Sequence, residues 1–241
     1  MFIKNTLIVL SAIVFLPIKS IAQDYEHTTL WLKTNITAPL SKTWDVQFEY
    51  VHRSQNNYHE SRWNPLNHEQ LEEPRFWFYF KEKNYTIQLN PITYLYSEPL
   101  LGKEDDFLDK NKNQEWRSVV GLDVHQDGQK WTFKERIQYE GRWLKNLDYV
   151  ITGRFRLRGT VQYQMTEKTK LQVYDEVFLN TPPHILVNIF DQNWFSIGIV
   201  HKINDRIGFD LGIMRNYKKR LNGHEFDHET GINCGFNFRL F

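Results

Sequence analysis

Polar and apolar residues alternate with a period of two along most of this chain, the pattern of a β-strand with two unlike faces. Trp44, Val46, Phe48 and Tyr50 alternate with Asp45, Gln47 and Glu49. Trp116, Val120, Leu122 and Val124 alternate with Glu115, Arg117 and Asp123. Tyr149, Ile151, Phe155, Leu157, Val161 and Tyr163 stand against Arg154, Arg156, Arg158, Gln162 and Gln164. The same alternation returns at Ile207–Ile213 and at Ile232–Leu240. Eleven segments carry it, at about 27–38, 43–53, 74–82, 84–96, 115–126, 130–142, 149–165, 169–180, 193–203, 206–217 and 226–240. The longest apolar run, Phe76–Phe80, is far too short for a membrane-spanning helix.

The connections alternate in length. Short ones lie near Leu40-Ser41, Lys83, Asp127-Gly128, Glu167-Lys168 and Asn204-Asp205, and longer polar ones at 54–73, 97–114, 143–148, 181–192 and 218–225. Turns on one side and loops on the other predict a single antiparallel transmembrane β-barrel, with short periplasmic turns and longer extracellular loops. A soluble barrel or sandwich also alternates, with the apolar face inward. The membrane reading gains from aromatics at segment ends (Trp44, Tyr96, Trp116, Trp131, Trp194, Tyr217), from long charged side chains on the polar face, and from the terminal Phe241. Phe241 is one residue out of phase with Phe236, Phe238 and Leu240. Bacterial barrels have even strand numbers. Eleven segments starting with a short turn would place the N-terminus outside, so the expectation is 10 or 12 strands. Either a strand hides in 54–73 or 181–192, or the first segment stands apart. Glu135 and Asp175 fall on apolar faces, which predicts bulges there.

Composition supports β-structure and export. Alanine occurs only at 12, 22 and 38, while 15% of residues are aromatic. Residues 1–22 read as a secretory signal: Lys4, the apolar Leu7–Pro17, and the small-x-small site Ser20-Ile21-Ala22. No cysteine follows for lipid attachment. Residues 23–241 then form one domain, since no linker divides them. The net charge is +1 and falls slightly when Lys4 and Lys19 leave, which gives no reason to expect a nucleic-acid partner. The lone Cys234 excludes an intramolecular disulfide.

Three stretches, Arg154–Gly159, Tyr174–Asn180 and Phe190–Trp194 with Gly198, together with the Trp31 strand, the Leu40–Thr43 turn and the Trp44 strand, resemble a bacterial family known as domain of unknown function 2490. At Trp194 that family more often has Arg. The resemblance covers nearly the whole chain after residue 22. It implies a small outer-membrane barrel of the kind common in Bacteroidetes-like bacteria, and no catalytic residues carry over.

Candidate chemistry concentrates on one strand face. Arg154, Arg156 and Arg158 are two apart and share a side, and Tyr174 and Glu176 share a side of the next segment. A tight turn at 166–169 makes the two groups cross-strand neighbours. They form either an arginine–carboxylate ladder filling a narrow lumen or an arginine-lined constriction for a small acidic solute. His224-Glu225-Phe226-Asp227-His228 matches H-E-x-x-H, but a strand follows at once where a zincin needs a helix. His125, His184, His201, Ser118 and Ser196 form no nucleophile–base motif. The expectation is no enzyme, no cofactor and no metal. Pro182–Val187 reads as a lid or a stretch tucked into the mouth, and 97–114 as a solvated loop with Leu100-Leu101 and Phe107-Leu108 able to fold onto the rim. The expected partners are outer-membrane lipid and the barrel-assembly machinery, with the chain a monomer.

Overall fold

The computed structural model of the chain describes residues 23–57, 59–107, 112–145, 150–182 and 188–241. The leader 1–22, the stretch around His184, and Leu108 with the start of the run Asp109–Lys112 lie outside them. The described strands are β1 (Gln23–Pro39), β2 (Trp44–Gln55), β3 (His68–Lys81), β4 (Tyr85–Ser97), β5 (Asn113–Asp127), β6 (Trp131–Leu144), β7 (Val150–Gln164), β8 (Thr169–Thr181), β9 (Phe190–Lys202), β10 (Ile207–Lys219) and β11 (Glu225–Arg239). Each pairs antiparallel with the next, and β1 closes the barrel on β11 in parallel.

The expected count of 10 or 12 is therefore corrected to eleven among the described residues. The first segment is a full barrel strand, paired on both sides over most of its length. An odd number closes because β1 and β11 run the same way, from Gln23↔Glu225 to Thr37↔Arg239. The even-number rule thus does not bind this sheet.

Short polar side chains set the tight turns at one end. Ser41 Oγ accepts from the Thr43 and Trp44 amides, Thr166 Oγ1 from Lys168 and Thr169, and Asn204 Oδ1 from Arg206 and Ile207. The turns themselves span 40–43, 82–84, 128–130, 165–168 and 203–206, and the longer loops all leave the other end.

The alternation sorts as the pattern predicts. Phe76, Phe78, Leu122, Ile137, Leu157, Ile197, Ile213 and Ile232 face outward and are exposed. Asn90, Gln138, Glu140, Glu176 and Glu229 face inward and are buried. The apolar face is thus the outside, the inverse of a soluble barrel. Trp44, Trp116 and Trp131 lie on it, whereas Trp194 does not. Its expected place in an outer aromatic belt is corrected: Trp194 opposes Glu176 and packs inside on Trp31 (5.2 Å between centroids) and Phe178 (4.8 Å).

The bulges expected at Glu135 and Asp175 are also absent from the described register, which runs unbroken through both. Both acids do face outward, and both oppose Gly159, where no side chain crowds them. Asp175 accepts a 2.7 Å hydrogen bond from Asn193 on the same face. The observed irregularities fall elsewhere, at Arg53/Ser54, Arg75/Phe78, Asn90/Thr93 and Phe178/Leu179. Phe241 leaves the strand altogether, at φ 65°, which accounts for its broken phase.

Glycine is required where β9 and β10 meet. A Cβ on Gly198 would lie 2.5 Å from the Leu211 carbonyl oxygen and 2.6 Å from the Gly212 Cα. Gly198→Ala is expected to cost about 1–3 kcal/mol by forcing these backbones apart. A lowered thermal midpoint of the refolded protein would register it.

Candidate functional site

The arginine stripe on β7 points into the lumen and meets carboxylates from three other strands. Arg154 donates through Nε to Glu140 (2.8 Å) and through Nη1 to Asp191 (2.6 Å). Arg156 bridges Glu140 and Glu176, each at 2.9 Å. Arg158 donates through Nε to Glu176 at 3.0 Å. The Glu140 and Glu176 side chains are 1% and 0% exposed, so water does not satisfy them and the arginines must. Tyr174 lies beneath the Arg158 guanidinium, 4.5 Å from ring centre to Cζ. Phe178 lies beneath both Arg154 and Arg156, at 4.9 and 4.6 Å.

The structure therefore brings Arg154, Arg156, Arg158, Tyr174 and Glu176 together. Sequence reasoning missed Glu140 and Asp191. Glu140 was within reach: it shares the polar face of Arg136, Gln138 and Arg142, and counting back from the β6–β7 loop sets it opposite Arg154. Asp191 lies beyond the β8–β9 connection and gave no such signal.

The pairing continues around the barrel. Arg142 donates to Glu115 through Nε and Nη2, at 2.5 and 2.8 Å. Arg117 joins Glu115 to Glu73, Arg75 joins Glu73 to Glu49, and Trp77 Nε1 also donates to Glu49. Arg75, Arg117, Arg142, Arg154, Arg156 and Arg158 thus face Glu49, Glu73, Glu115, Glu140, Glu176 and Asp191, charge for charge. A further pair, Arg53–Glu229, sits against Trp31, with Arg53 Cζ 4.5 Å from the ring centre.

Among the described residues, part of the loop after β4 folds against the long-loop mouth. Of the loop expected in solvent, Glu104 and Asp105 are exposed, while Leu101 folds onto the rim. Leu101 is buried, and its amide donates to Gln55 Oε1 (3.2 Å). Gly102 presses so close to the His27 ring that a Cβ would lie 2.7 Å from its Cε1. Asp106, in the short 3-10 turn Glu104–Phe107, takes two hydrogen bonds from Arg220 (2.8 and 3.0 Å). Lys103 reaches Glu225 at 3.0 Å. That hydrogen bond raises the Lys103 pKa above its ordinary value, and burial only partly opposes it. Arg220 loses by burial but gains more from Asp106 and Asp227, so its pKa also stands above the ordinary value. Both cations keep their charge through neutral pH, and the Lys103 contribution fades only as pH rises through its raised, alkaline value. Arg220→Ala is expected to lower the cost of opening this loop by about 1.5–3 kcal/mol. Faster hydrogen exchange at the Gly102 and Lys103 amides, both of which donate to Asp106, would show it.

The remaining candidates are dispersed. His224 turns back on the Asn222 carbonyl, Glu225 points inward to Lys103, and His228 faces outward near Asp24. A strand sends neighbours to opposite sides, so H-E-x-x-H does not converge here. Ser118 donates to the Pro91 carbonyl on the outside, and Ser196 to the Ile213 carbonyl inside. His201 pairs with Thr169, and His125 lies 4.0 Å from Asp127.

The profile of the family described as Protein of unknown function (DUF2490) matches residues 28–227. Two solved structures align with the chain. The one titled "NanC porin structure in rhombohedral crystal form" aligns with a TM-score of 0.51 at 11% identity, covering 89% of this chain and 99% of that one. "Outer-membrane expressed OmpT of Vibrio cholerae" aligns with a TM-score of 0.38 at 7% identity, over 76% of this chain and 58% of that one. The first likeness is one of fold alone. No curated protein matches the chain.

Proposed function

The chain belongs to the DUF2490 family, and from that premise we propose that it is a non-enzymatic outer-membrane barrel, a structural or interaction protein with a charge-paired lumen. On this reading residues 1–22 direct its export, the barrel-assembly machinery inserts it, and it stands in the membrane as a monomer. The apolar outer face meets lipid and closure satisfies the backbone there. The observation that carries the role is the pairing of Arg154, Arg156 and Arg158 with Glu140, Glu176 and Asp191. A selective ring needs free charge facing the permeant ion, and these guanidiniums have spent theirs on fixed carboxylates. The loop after β4, folded against the long-loop mouth, supports the same reading.

Two measurements test it. The folded protein should run faster than the boiled protein on a denaturing gel and resist SDS. Absence of that shift, with recovery in a soluble fraction, would remove the membrane assignment. In a planar bilayer the folded protein should show no discrete conductance. Anion-selective steps that vanish in a variant with Arg154, Arg156 and Arg158 all replaced by Gln would instead make it a small passive channel for acidic solutes.

A further inference from the structure

The lumen divides its charges by height. The six arginines of the belt, three of them on β7, each face a carboxylate, whereas the cations toward the short-turn mouth include lysines that do not. Lys134 on β6 and Lys170 on β8 lie on the inward face, opposite Thr160 and Gln164. With Lys130 in the β5–β6 turn, they form no ion pair with any described residue. Two acids of β5, Asp123 and Asp127, share this end of the lumen. Asp123 is already claimed by an arginine, whereas Asp127 is held only by a hydroxyl and keeps its charge at the edge of this end of the lumen. Asp123 takes two hydrogen bonds from Arg136, at 2.6 and 2.8 Å, and Asp127 accepts from Thr132 at 2.7 Å.

A polar cavity of about 190 Å³ opens beside these lysines, lined by Asp127, Lys130, Thr132, Gln162, Gln164 and Lys170. Gln162 is 7% exposed, and its Oε1 is buried with no hydrogen-bond partner, while its amide nitrogen donates to Gln172 at 2.6 Å. A buried acceptor without a donor is costly. Ammonium donors beside a free amide acceptor describe a ligand that is both anionic and a hydrogen-bond donor. Chloride and sulfate offer no such proton near neutral pH, whereas a phosphate group does.

We propose that the short-turn mouth is a binding cup for a phosphate group, held by Lys130 and Lys170, with Lys134 beside the cavity adding positive charge and the Gln162 amide turning so that Oε1 accepts the hydroxyl proton. The site goes beyond the role proposed above, because a barrel that conducts nothing still presents it. It is also separate from the arginine stripe.

The test is calorimetric titration of the refolded full chain, in zwitterionic detergent at neutral pH and fixed ionic strength, with inorganic phosphate. Saturable binding is expected, weaker by at least about tenfold in the Lys134→Gln/Lys170→Gln double variant, as the loss of charge-assisted hydrogen bonds requires. Lys145→Gln at the opposite end should leave it unchanged, and Lys134→Arg/Lys170→Arg should retain it. Gln162→Leu should abolish the preference for phosphate over sulfate. All variants should keep the heat-dependent gel shift, which separates lost binding from lost folding. Non-saturable heats, equal binding of sulfate by the parent, or unchanged binding in the double lysine-to-glutamine variant would overturn the proposal. Doping the micelles with phosphatidylglycerol distinguishes the source. Competition would support the cup and assign its phosphate to a lipid headgroup; unaltered phosphate binding would support it for a dissolved anion.

Discussion

Glu176→Ala is expected to destabilise the barrel by about 3–5 kcal/mol, since it removes one partner from a buried ionic pair and leaves the other uncompensated. Glu176 is the shared acceptor of Arg156 and Arg158 and is itself fully buried. Its loss leaves Arg158 stacked on Tyr174 with no carboxylate, and leaves Arg156 only Glu140. Glu176→Gln should cost less than alanine, because an amide still accepts one hydrogen bond. Replacing Glu176, Arg156 and Arg158 together by Leu or Met should recover much of the loss, because the desolvation of three charged groups disappears with the charges. Thermal unfolding in detergent, followed by loss of the fast-migrating gel band, measures all three. Equal stability of Glu176→Ala and the parent would mean that water reaches this belt and that the lumen is open.

The second large effect is expected on the other surface. Ile137→Arg places a charge midway along β6, between outward-facing Leu122 and Leu157. In a bilayer this should cost about 2–4 kcal/mol, the range for a basic residue at the midplane of a barrel. Ile137 is 55% exposed in the isolated chain, so the same substitution in a water-soluble barrel would be nearly neutral. The folded fraction after refolding into lipid vesicles, against urea, reads the difference directly. A stable, soluble Ile137→Arg protein would reverse the assignment of the outer face.

The strands were legible because side-chain direction in a strand has a period of two, and no strand here departs from it for long. Trp116, Val120, Leu122 and Val124 read outward from sequence and stand outward in the barrel. What failed did so for identifiable reasons. The strand count was moved off eleven by a rule about termini, although the periodicity itself marked eleven segments. Trp194 was assigned by residue type to the membrane boundary. Its parity with Ser196 and Gly198 would have placed it inside, where Arg156 and Phe178 give an indole a partner. The arginine stripe was visible because three like residues at spacing two stand out. The carboxylates that complete it were scattered over β6 and β9, and only a register could join them. The ion pairs that hold the 98–107 loop were hidden for a related reason: Lys103 and Asp106 lie over a hundred residues from Arg220 and Glu225 in sequence, and nothing local couples them.

The parallel seam between β1 and β11 sets a limit on how this chain can be rewired. In a barrel with an even number of strands the two chain ends emerge on the same rim, and a few residues can join them. Here Gln23 sits beside the long loops and Arg239 beside the short turns. Fifteen paired positions at about 3.3 Å each separate the rims by about 50 Å along the strand. A linker joining residue 239 to residue 23 must cross that span, and in an apolar surround it could do so only by pairing its own backbone. Circular permutation of this protein is thus equivalent to inserting a twelfth strand antiparallel to both neighbours, and a permutant with a short glycine linker should not close.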